Sequence, residues 1–162
     1  MWWRSFCWPV RECSDVIEIG AELAQAVELV LPDWVRACVQ TRAVQAFGQS
    51  SPEIDARADE AAQRVLAAIV PELRALLGVD VDEQRTTPIA LLRRAVQYPT
   101  EALAALEVPP VPRDRFAVER FPHDLYALMP VNLEVLGETV GELAIAWGAA
   151  KAYEHRRRHR GR

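Results

Sequence analysis

The chain has 162 residues, 51% of them hydrophobic and 26% charged, which fits one globular domain and is unlike a disordered chain. No stretch reaches eighteen uninterrupted apolar residues, which predicts a soluble protein, and the three cysteines are expected to be reduced thiols of a cytoplasmic protein. The net charge of −4 is unevenly spread: residues 151–162 carry six Lys/Arg and one acid, against thirteen and twenty-two in residues 1–150. Such a basic arm on an acidic body suits contact with an anionic partner: nucleic acid, an acidic protein surface or the body itself.

The first fifteen residues differ in character from the rest of the chain. Arg4 and Pro9 interrupt any apolar core that a signal peptide would need. We expect residues 1–15 to be a poorly ordered extension, or to precede the true translation start; an aromatic membrane-interface anchor is the alternative. That alternative rests on four crowded aromatic residues: Trp2, Trp3, Phe6 and Trp8.

Apolar residues at helical spacing dominate the first half of the domain. A first helix is predicted from Ser14 or Asp15 to about Leu31, and a second follows Pro32 and ends at Gly48, unless the two are one kinked helix. Another long helix should begin at residues 51–53, where a capping serine, a proline and an acid follow one another, and should end at residue 78.

Prolines set the character of the middle of the chain, because residues 88–130 contain seven of the eleven. An acidic loop over residues 79–84 precedes them, and Thr87-Pro88 repeats the signature of a capped helix start. Fixed φ angles at proline predict short helices joined by stiff elbows. Residues 108–112 (VPPVP) should be a polyproline-like rigid connector, with an SH3-type ligand as the alternative.

The last predicted helix covers residues 132–158, with an apolar seam at spacings of three and four. Interior glycines each cost a helix about 1 kcal/mol relative to alanine, so several on one stripe call for a benefit elsewhere. That benefit is close approach of another backbone, either within the domain or across a homodimer. The residues of this small-residue stripe are Gly137, Gly141, Ala144 and Gly148.

The basic C-terminal tail, residues 155–162, is the candidate contact with an anionic partner. Arginines can bind phosphates without reading base sequence, which would make the protein a weak nucleic-acid-binding accessory. The acidic body, and the lack of any nucleic-acid-binding motif, weigh against this function. The candidate contact residues are Arg156, Arg157, Arg158, Arg160 and Arg162.

Catalytic, cofactor and metal motifs are missing from the sequence, so no cofactor is predicted. His155 and His159 share one helix face, but they lack a third ligand in sequence and lie among arginines, so no metal site is predicted. The cysteines are in no metal-type spacing, and Cys38 should be a core residue. His123-Asp124 is not a catalytic dyad by adjacency; Asp124 should cap a helical turn over residues 125–129.

Parts of residues 84–130 and 144–158 resemble a family of small, functionally uncharacterised all-helical proteins from high-GC Gram-positive bacteria. The resemblance implies a helical fold and no particular activity, and it does not extend to the first fifteen residues. It rests on four runs: Gln84-Arg85-Thr86-Thr87-Pro88, Tyr98-Pro99-Thr100-Glu101, Phe121-Pro122-His123-Asp124 and Ala146-Trp147-Gly148-Ala149-Ala150-Lys151-Ala152.

Together these patterns predict an all-α, single-domain helical bundle of about six or seven helices with a proline-rich middle, its helical domain covering residues 16–154. The leading functional prediction is a non-enzymatic protein-interaction or regulatory module with an unknown protein partner or a second copy of itself. Nucleic-acid binding through the tail comes second, and an enzyme with a site assembled only in three dimensions comes third.

Overall fold

The computed structural model describes residues 15–160, and this part of the chain is helical with no strand. The all-α prediction is therefore confirmed. The predicted six or seven bundle helices are too many: five helices have eight residues or more, and the six-residue α5 has no buried residue. The helices are α1 Asp15–Phe47, α2 Pro52–Gly78, α3 Pro88–Ala95, α4 Gln97–Ala105, α5 Arg115–Arg120 and α6 Glu138–His159, with a 3₁₀ helix at Leu133–Leu136 before α6. The predicted extension over residues 1–15, including Cys7 and Cys13, and Arg162 in the tail fall outside the described side chains.

The two longest helices, α1 and α2, form an antiparallel pair that supplies most of the core. Only four residues join them, which makes them antiparallel neighbours. Ion pairs fix their register. Arg36 Nε lies 2.6 Å from Asp59 Oδ1, and Glu28, which is closer to the start of α1, pairs with Arg74, which is closer to the end of α2. The buried seam between them includes Leu23, Leu31, Val35, Val39, Ala58, Ala62, Val65, Leu73 and Leu77.

Proline does not divide the first long helix. Pro32 is buried inside a continuous α1, and the exposed Pro71 lies inside α2. An interior proline removes one backbone hydrogen bond and costs roughly 3 kcal/mol. Burial on both sides of Pro32, by Leu31 and Val35, offsets this cost. Of the two alternatives that the sequence left open, the single helix is the observed one.

The two predicted cap-and-proline starts are confirmed. Ser51 Oγ accepts the N–H of Ile54 at 3.3 Å at the start of α2, and Thr87 Oγ1 accepts the N–H of Ala90 at 3.3 Å at the start of α3. These caps satisfy backbone donors that a helix leaves unpaired in its first turn. They also orient α3 so that it packs on α2, while α4 packs on both α1 and α2.

The last helix begins later than predicted. Gly137 has φ 144° and ψ 160°, a conformation open essentially to glycine alone, and it separates the 3₁₀ helix from α6. Leu133 and Leu136 therefore belong to the 3₁₀ helix, although their spacing continues that of the helix. From Glu138 onward α6 packs along α1, with Val140 and Trp147 buried.

The chain between α4 and the 3₁₀ helix is mostly irregular and is held by specific polar contacts. The Tyr126 hydroxyl is buried and donates to the Val108 carbonyl at 2.8 Å. The predicted helical turn over residues 125–129 is wrong, because these residues form non-helical turns. Asp124 nevertheless accepts backbone N–H groups as predicted, from Leu128 and Met129, each at 2.8 Å.

Candidate functional site at the C-terminal half of α6

The residues predicted to form a basic tail continue α6 as helix to His159. This end of α6 lies against the acidic loop over residues 79–84, which connects α2 to α3. The three arginines from 156 to 158 lie in the last turn of the helix, where positive charge is favoured by the helix dipole. The basic segment is therefore helical, and one side of it contacts the acidic loop.

Arg158 binds the acidic loop directly. Its Nη1 lies 2.6 Å from Asp80 Oδ1 and 3.5 Å from Asp82 Oδ2, and its Nε lies 2.9 Å from Glu154 Oε1. The hydrogen bond from Arg158 lowers the pKa of Asp80 below its usual value. Arg158 therefore binds the protein's own body, which is one of the three anionic partners that the sequence allowed for the tail.

Glu154 is a buried acid within the basic segment, with its side chain only 7% exposed. Arg157 Nη2 and Arg158 Nε both donate to its Oε1, at 3.0 and 2.9 Å. A buried carboxylate is tolerated when charged donors compensate its lost hydration. Two of the five predicted anion-contacting arginines are thus engaged within the protein.

The two histidines of the tail meet a carboxylate that the sequence did not reveal as their neighbour. Asp82 Oδ1 lies 2.9 Å from His155 Nδ1 and 3.5 Å from His159 Nε2. The hydrogen bond from His155 is the main cause that lowers the pKa of Asp82. The third ligand-type group that the sequence did not show near the histidines is therefore Asp82, which is 73 residues from His155 in sequence.

A second, separate surface of α6 points away from the body, and we call it the outer face. Its apolar members are Ile145, 66% exposed, and Tyr153, 53% exposed, with the small exposed Ala149 between them. At 3.6 residues per turn, all of its members lie within about 40° of one line along the helix. The outer face consists of Glu138, Glu142, Ile145, Ala149, Tyr153, Arg156 and Arg160.

The four charged residues of the outer face make no ion pair within residues 15–160: Glu138, Glu142, Arg156 and Arg160. Arg156 and Arg160 line a shallow groove of about 170 Å³ with Tyr153 and Arg157. Of the predicted anion-contacting residues that are described, Arg156 and Arg160 are therefore the two available to another molecule.

The predicted small-residue stripe does not form one surface. Gly137 precedes the helix, Gly141 is buried, Ala144 is half-buried and Gly148 is exposed. A Cβ on Gly141 would lie 2.5 Å from Glu134 Cγ, so this glycine permits a close approach within the chain. A Cβ on Gly148 would meet no atom within 4 Å.

This difference predicts opposite effects for two alanine substitutions in one helix. Gly148→Ala should raise the free energy of unfolding by up to about 1 kcal/mol through helix propensity. Gly141→Ala gains the same propensity but crowds Glu134, and overpacking of about 1–3 kcal/mol should leave it destabilised by about 1 kcal/mol. Urea denaturation of both variants measures this; equal stabilisation would show that Glu134 moves aside without cost.

The remaining candidates do not assemble a reactive centre among the described residues. Cys38 is half-buried and lies outside the core, and burial raises the pKa of its thiol to about 12, which does not suit a nucleophile. Both Asp124 oxygens accept backbone N–H groups, while His123 is exposed. A larger open groove of about 490 Å³ between the α1–α2 connection and the end of α4 contains only two ionisable residues, Glu53 and Glu107.

None of the described helices combines the length and apolarity needed to cross a membrane. Comparisons with protein-family models, curated proteins and solved structures found no match to this chain. The resemblance to a Gram-positive family therefore stays a prediction, and the function has to be argued from the two surfaces of α6.

Proposed function

We propose that the protein is a non-enzymatic helical interaction module whose binding surface is the outer face of α6. The observation that carries the proposal is the exposed pair Ile145 and Tyr153, flanked by charged residues without ion pairs in the described chain. Aromatic residues and arginine are enriched at the centres of protein interfaces. The outer face has this composition on a helix whose opposite side is anchored in the core by Trp147.

The partner that best fits the outer face is a second copy of the same chain. Its pattern is symmetric about Ala149, with Ile145 opposite Tyr153 in position and each acid opposite an arginine. If two α6 helices packed antiparallel around a two-fold axis at Ala149, Ile145 would meet Tyr153 of the other copy. Glu142 would likewise meet Arg156, and Glu138 would meet Arg160. Self-complementarity of this kind is what an isologous interface requires.

The size of the face sets the expected affinity. Standard stable interfaces use about 20–30 residues a side, whereas the outer face has seven. The exposed Ala149 at its centre allows two helices to approach closely, which favours packing of the flanking side chains. We therefore expect a weak homodimer, with a dissociation constant in the range of about 10–500 µM.

Sedimentation velocity of the full chain over roughly this concentration range tests the proposal. The weight-average sedimentation coefficient should rise with concentration, and Glu142→Arg or Arg156→Glu alone should abolish the rise, because each places like charges opposite one another. The double variant Glu142→Arg/Arg156→Glu restores opposite charges and should restore the dimer. Ile145→Asp should disrupt it, and the matched control Leu29→Asp, on an exposed position of α1, should not.

A monomer at every concentration would contradict the second copy as partner. A dimer that survives Ile145→Asp and both single charge reversals would place the interface elsewhere on the molecule. If the outer face instead binds a different protein, capture from lysate should depend on Ile145 but show no rescue by the double charge reversal.

A second candidate function is weak nucleic-acid binding by Arg156 and Arg160 next to Tyr153. Cationic side chains beside an exposed aromatic ring suit single-stranded nucleic acid. Such binding should fall steeply with salt and disappear on deletion of residues 155–162. A clean absorbance ratio after purification, together with unchanged low-salt binding in the deletion variant, would reject it.

A further inference from the structure

A cluster of three metal-ligand side chains lies on the side of α6 that faces the acidic loop. One turn of helix places His155 and His159 next to each other, with ring centroids 4.5 Å apart, and Asp82 meets both from the loop. Their ligand atoms all lie within 4.8 Å of one another. We propose that Asp82, His155 and His159 bind a divalent transition-metal ion, with Zn²⁺ as the best match.

The two separations that are measured from Asp82 are close to those of tetrahedral coordination. Zinc–nitrogen and zinc–oxygen bonds of about 2.0–2.2 Å place neighbouring tetrahedral ligand atoms roughly 3.3–3.6 Å apart. The observed separations from Asp82 Oδ1 are 2.9 Å to His155 Nδ1 and 3.5 Å to His159 Nε2. All three ligand atoms lie within 4.8 Å of one another, so side-chain rotations that bring the two imidazole nitrogens closer together by up to about 1.5 Å would place all three atoms at coordination distance and leave a fourth position for water.

The chemistry of the ligands selects the class of metal. Two imidazoles and one carboxylate suit zinc and neighbouring transition ions, while magnesium and calcium prefer sites made of oxygen atoms. Metal binding requires a deprotonated carboxylate and neutral imidazoles, so the affinity of this site should fall as the pH is lowered. The i, i+4 spacing of the histidines also preorganises two of the three ligands on one rigid helix.

Of the arginines near the histidines in sequence, Arg157 and Arg158 are compensated by carboxylates, while Arg156 and Arg160 lie on the outer face. Arg158 is bound by Asp80 and Glu154, and Arg157 is bound by Glu154. Arg158 Nη1 also lies 3.5 Å from Asp82 Oδ2, whereas both histidines contact Oδ1. Arg158 thus acts as an outer partner that orients the carboxylate, a role that commonly supports metal ligands.

Metal binding would link two segments that are far apart in sequence. The ion would join the loop after α2 to the end of α6, across 73 residues. A ligand that binds only the folded chain stabilises it by an amount that grows with the logarithm of its concentration relative to its dissociation constant. A bound ion would thus stabilise the contact between the loop and the end of α6, at a site separate from the outer face.

Isothermal titration of Zn²⁺ into the untagged full chain tests the proposal. The chain should carry Cys7→Ser and Cys13→Ser, so that zinc held by these thiols is not counted. We expect one zinc per chain, and a Tm about 5–10 °C higher at zinc concentrations roughly 100-fold above the dissociation constant. Cobalt should give the visible absorption bands of a tetrahedral site, and ¹⁵N spectra should report coordination through Nδ1 of His155 and Nε2 of His159.

His155→Ala, His159→Ala and Asp82→Asn should each weaken zinc binding by more than about tenfold, since even outer-shell changes cost 10–100-fold. The matched controls His123→Ala and Glu83→Gln, an exposed histidine elsewhere and an exposed acid in the same loop, should bind as the unsubstituted protein. Far-UV circular dichroism without metal checks folding, and His155→Gln replaces His155→Ala if that variant is not folded. No stoichiometric binding, or binding unchanged in all three ligand variants, would overturn the proposal.

This test is independent of the proposed dimer. Zinc titration at about 10 µM protein is carried out at or below the expected dissociation constant of the dimer, so that at least about half of the chains are monomers. Glu142→Arg should leave zinc affinity unchanged, because Glu142 lies on the outer face and the three ligands lie on the side that faces the loop. Loss of the dimer with retained zinc binding, or the reverse, therefore separates the two proposals.

Discussion

Replacing Leu31 by alanine should lower the free energy of unfolding by about 2–5 kcal/mol, the range measured for buried leucines in close-packed cores. The side chain is 0% exposed and lies in the seam between α1 and α2. The cost has two parts, the lost transfer of apolar atoms from water and the cavity that rigid neighbours leave behind.

Leu29→Ala is the matched control, two residues earlier in the same helix. Its side chain is 71% exposed, so its removal forms no cavity and should change stability by less than about 0.5 kcal/mol. Denaturant unfolding of both variants, with equal m values, measures the difference. Equal and small effects at the two positions would show that the α1–α2 seam is not packed as described.

The long helices were predictable because local signals and packing agree. Helical spacing of apolar residues, a capping serine and a first-turn proline all indicate the start of α2, and Gly78 marks its end. The sequence could not decide whether Pro32 divides α1, because a proline's cost of about 3 kcal/mol is set against burial that only the tertiary structure supplies.

The late start of α6 shows where periodicity misleads. Leu133, Leu136 and Val140 keep helical spacing, yet a 3₁₀ helix followed by Gly137 satisfies the same buried positions. Glycine is the signal that could have indicated the break, since a positive φ is inexpensive only there.

The candidate metal site was missed for a different reason. The histidine pair was visible at its i, i+4 spacing, and the acidic loop was visible as a run of charges, but no sequence pattern relates residues 82 and 155. Their proximity follows from the packing of α6 along α1, which brings the helix end beside the loop that closes α2. Long-range contacts of this kind depend on the whole fold and not on any local propensity.

The second large effect is expected at Asp124, a buried acid whose role is structural. Asp124→Ala should lower the free energy of unfolding by about 3 kcal/mol, because hydrogen bonds to charged groups contribute about 1.5–3 kcal/mol and this carboxylate accepts two. Oδ1 accepts the N–H of Leu128 and Oδ2 that of Met129, each at 2.8 Å. The same turn holds Ala127 at φ 54°, a left-handed conformation that costs an alanine roughly 1 kcal/mol and persists only while the turn is held.

Asp114→Ala is the comparison that isolates burial from hydrogen bonding. Asp114 also accepts a backbone N–H, from Ala117 at 2.7 Å, but it is exposed at the start of the short α5. Water replaces its lost bond, so the expected cost is about 1 kcal/mol. Asp124→Asn keeps one acceptor oxygen, so its loss of stability in thermal and urea unfolding should lie between those of Asp124→Ala and Asp114→Ala. If Asp124→Ala cost no more than Asp114→Ala, water would have to reach the N–H groups of Leu128 and Met129, and the turn would not be the buried anchor of residues 121–130.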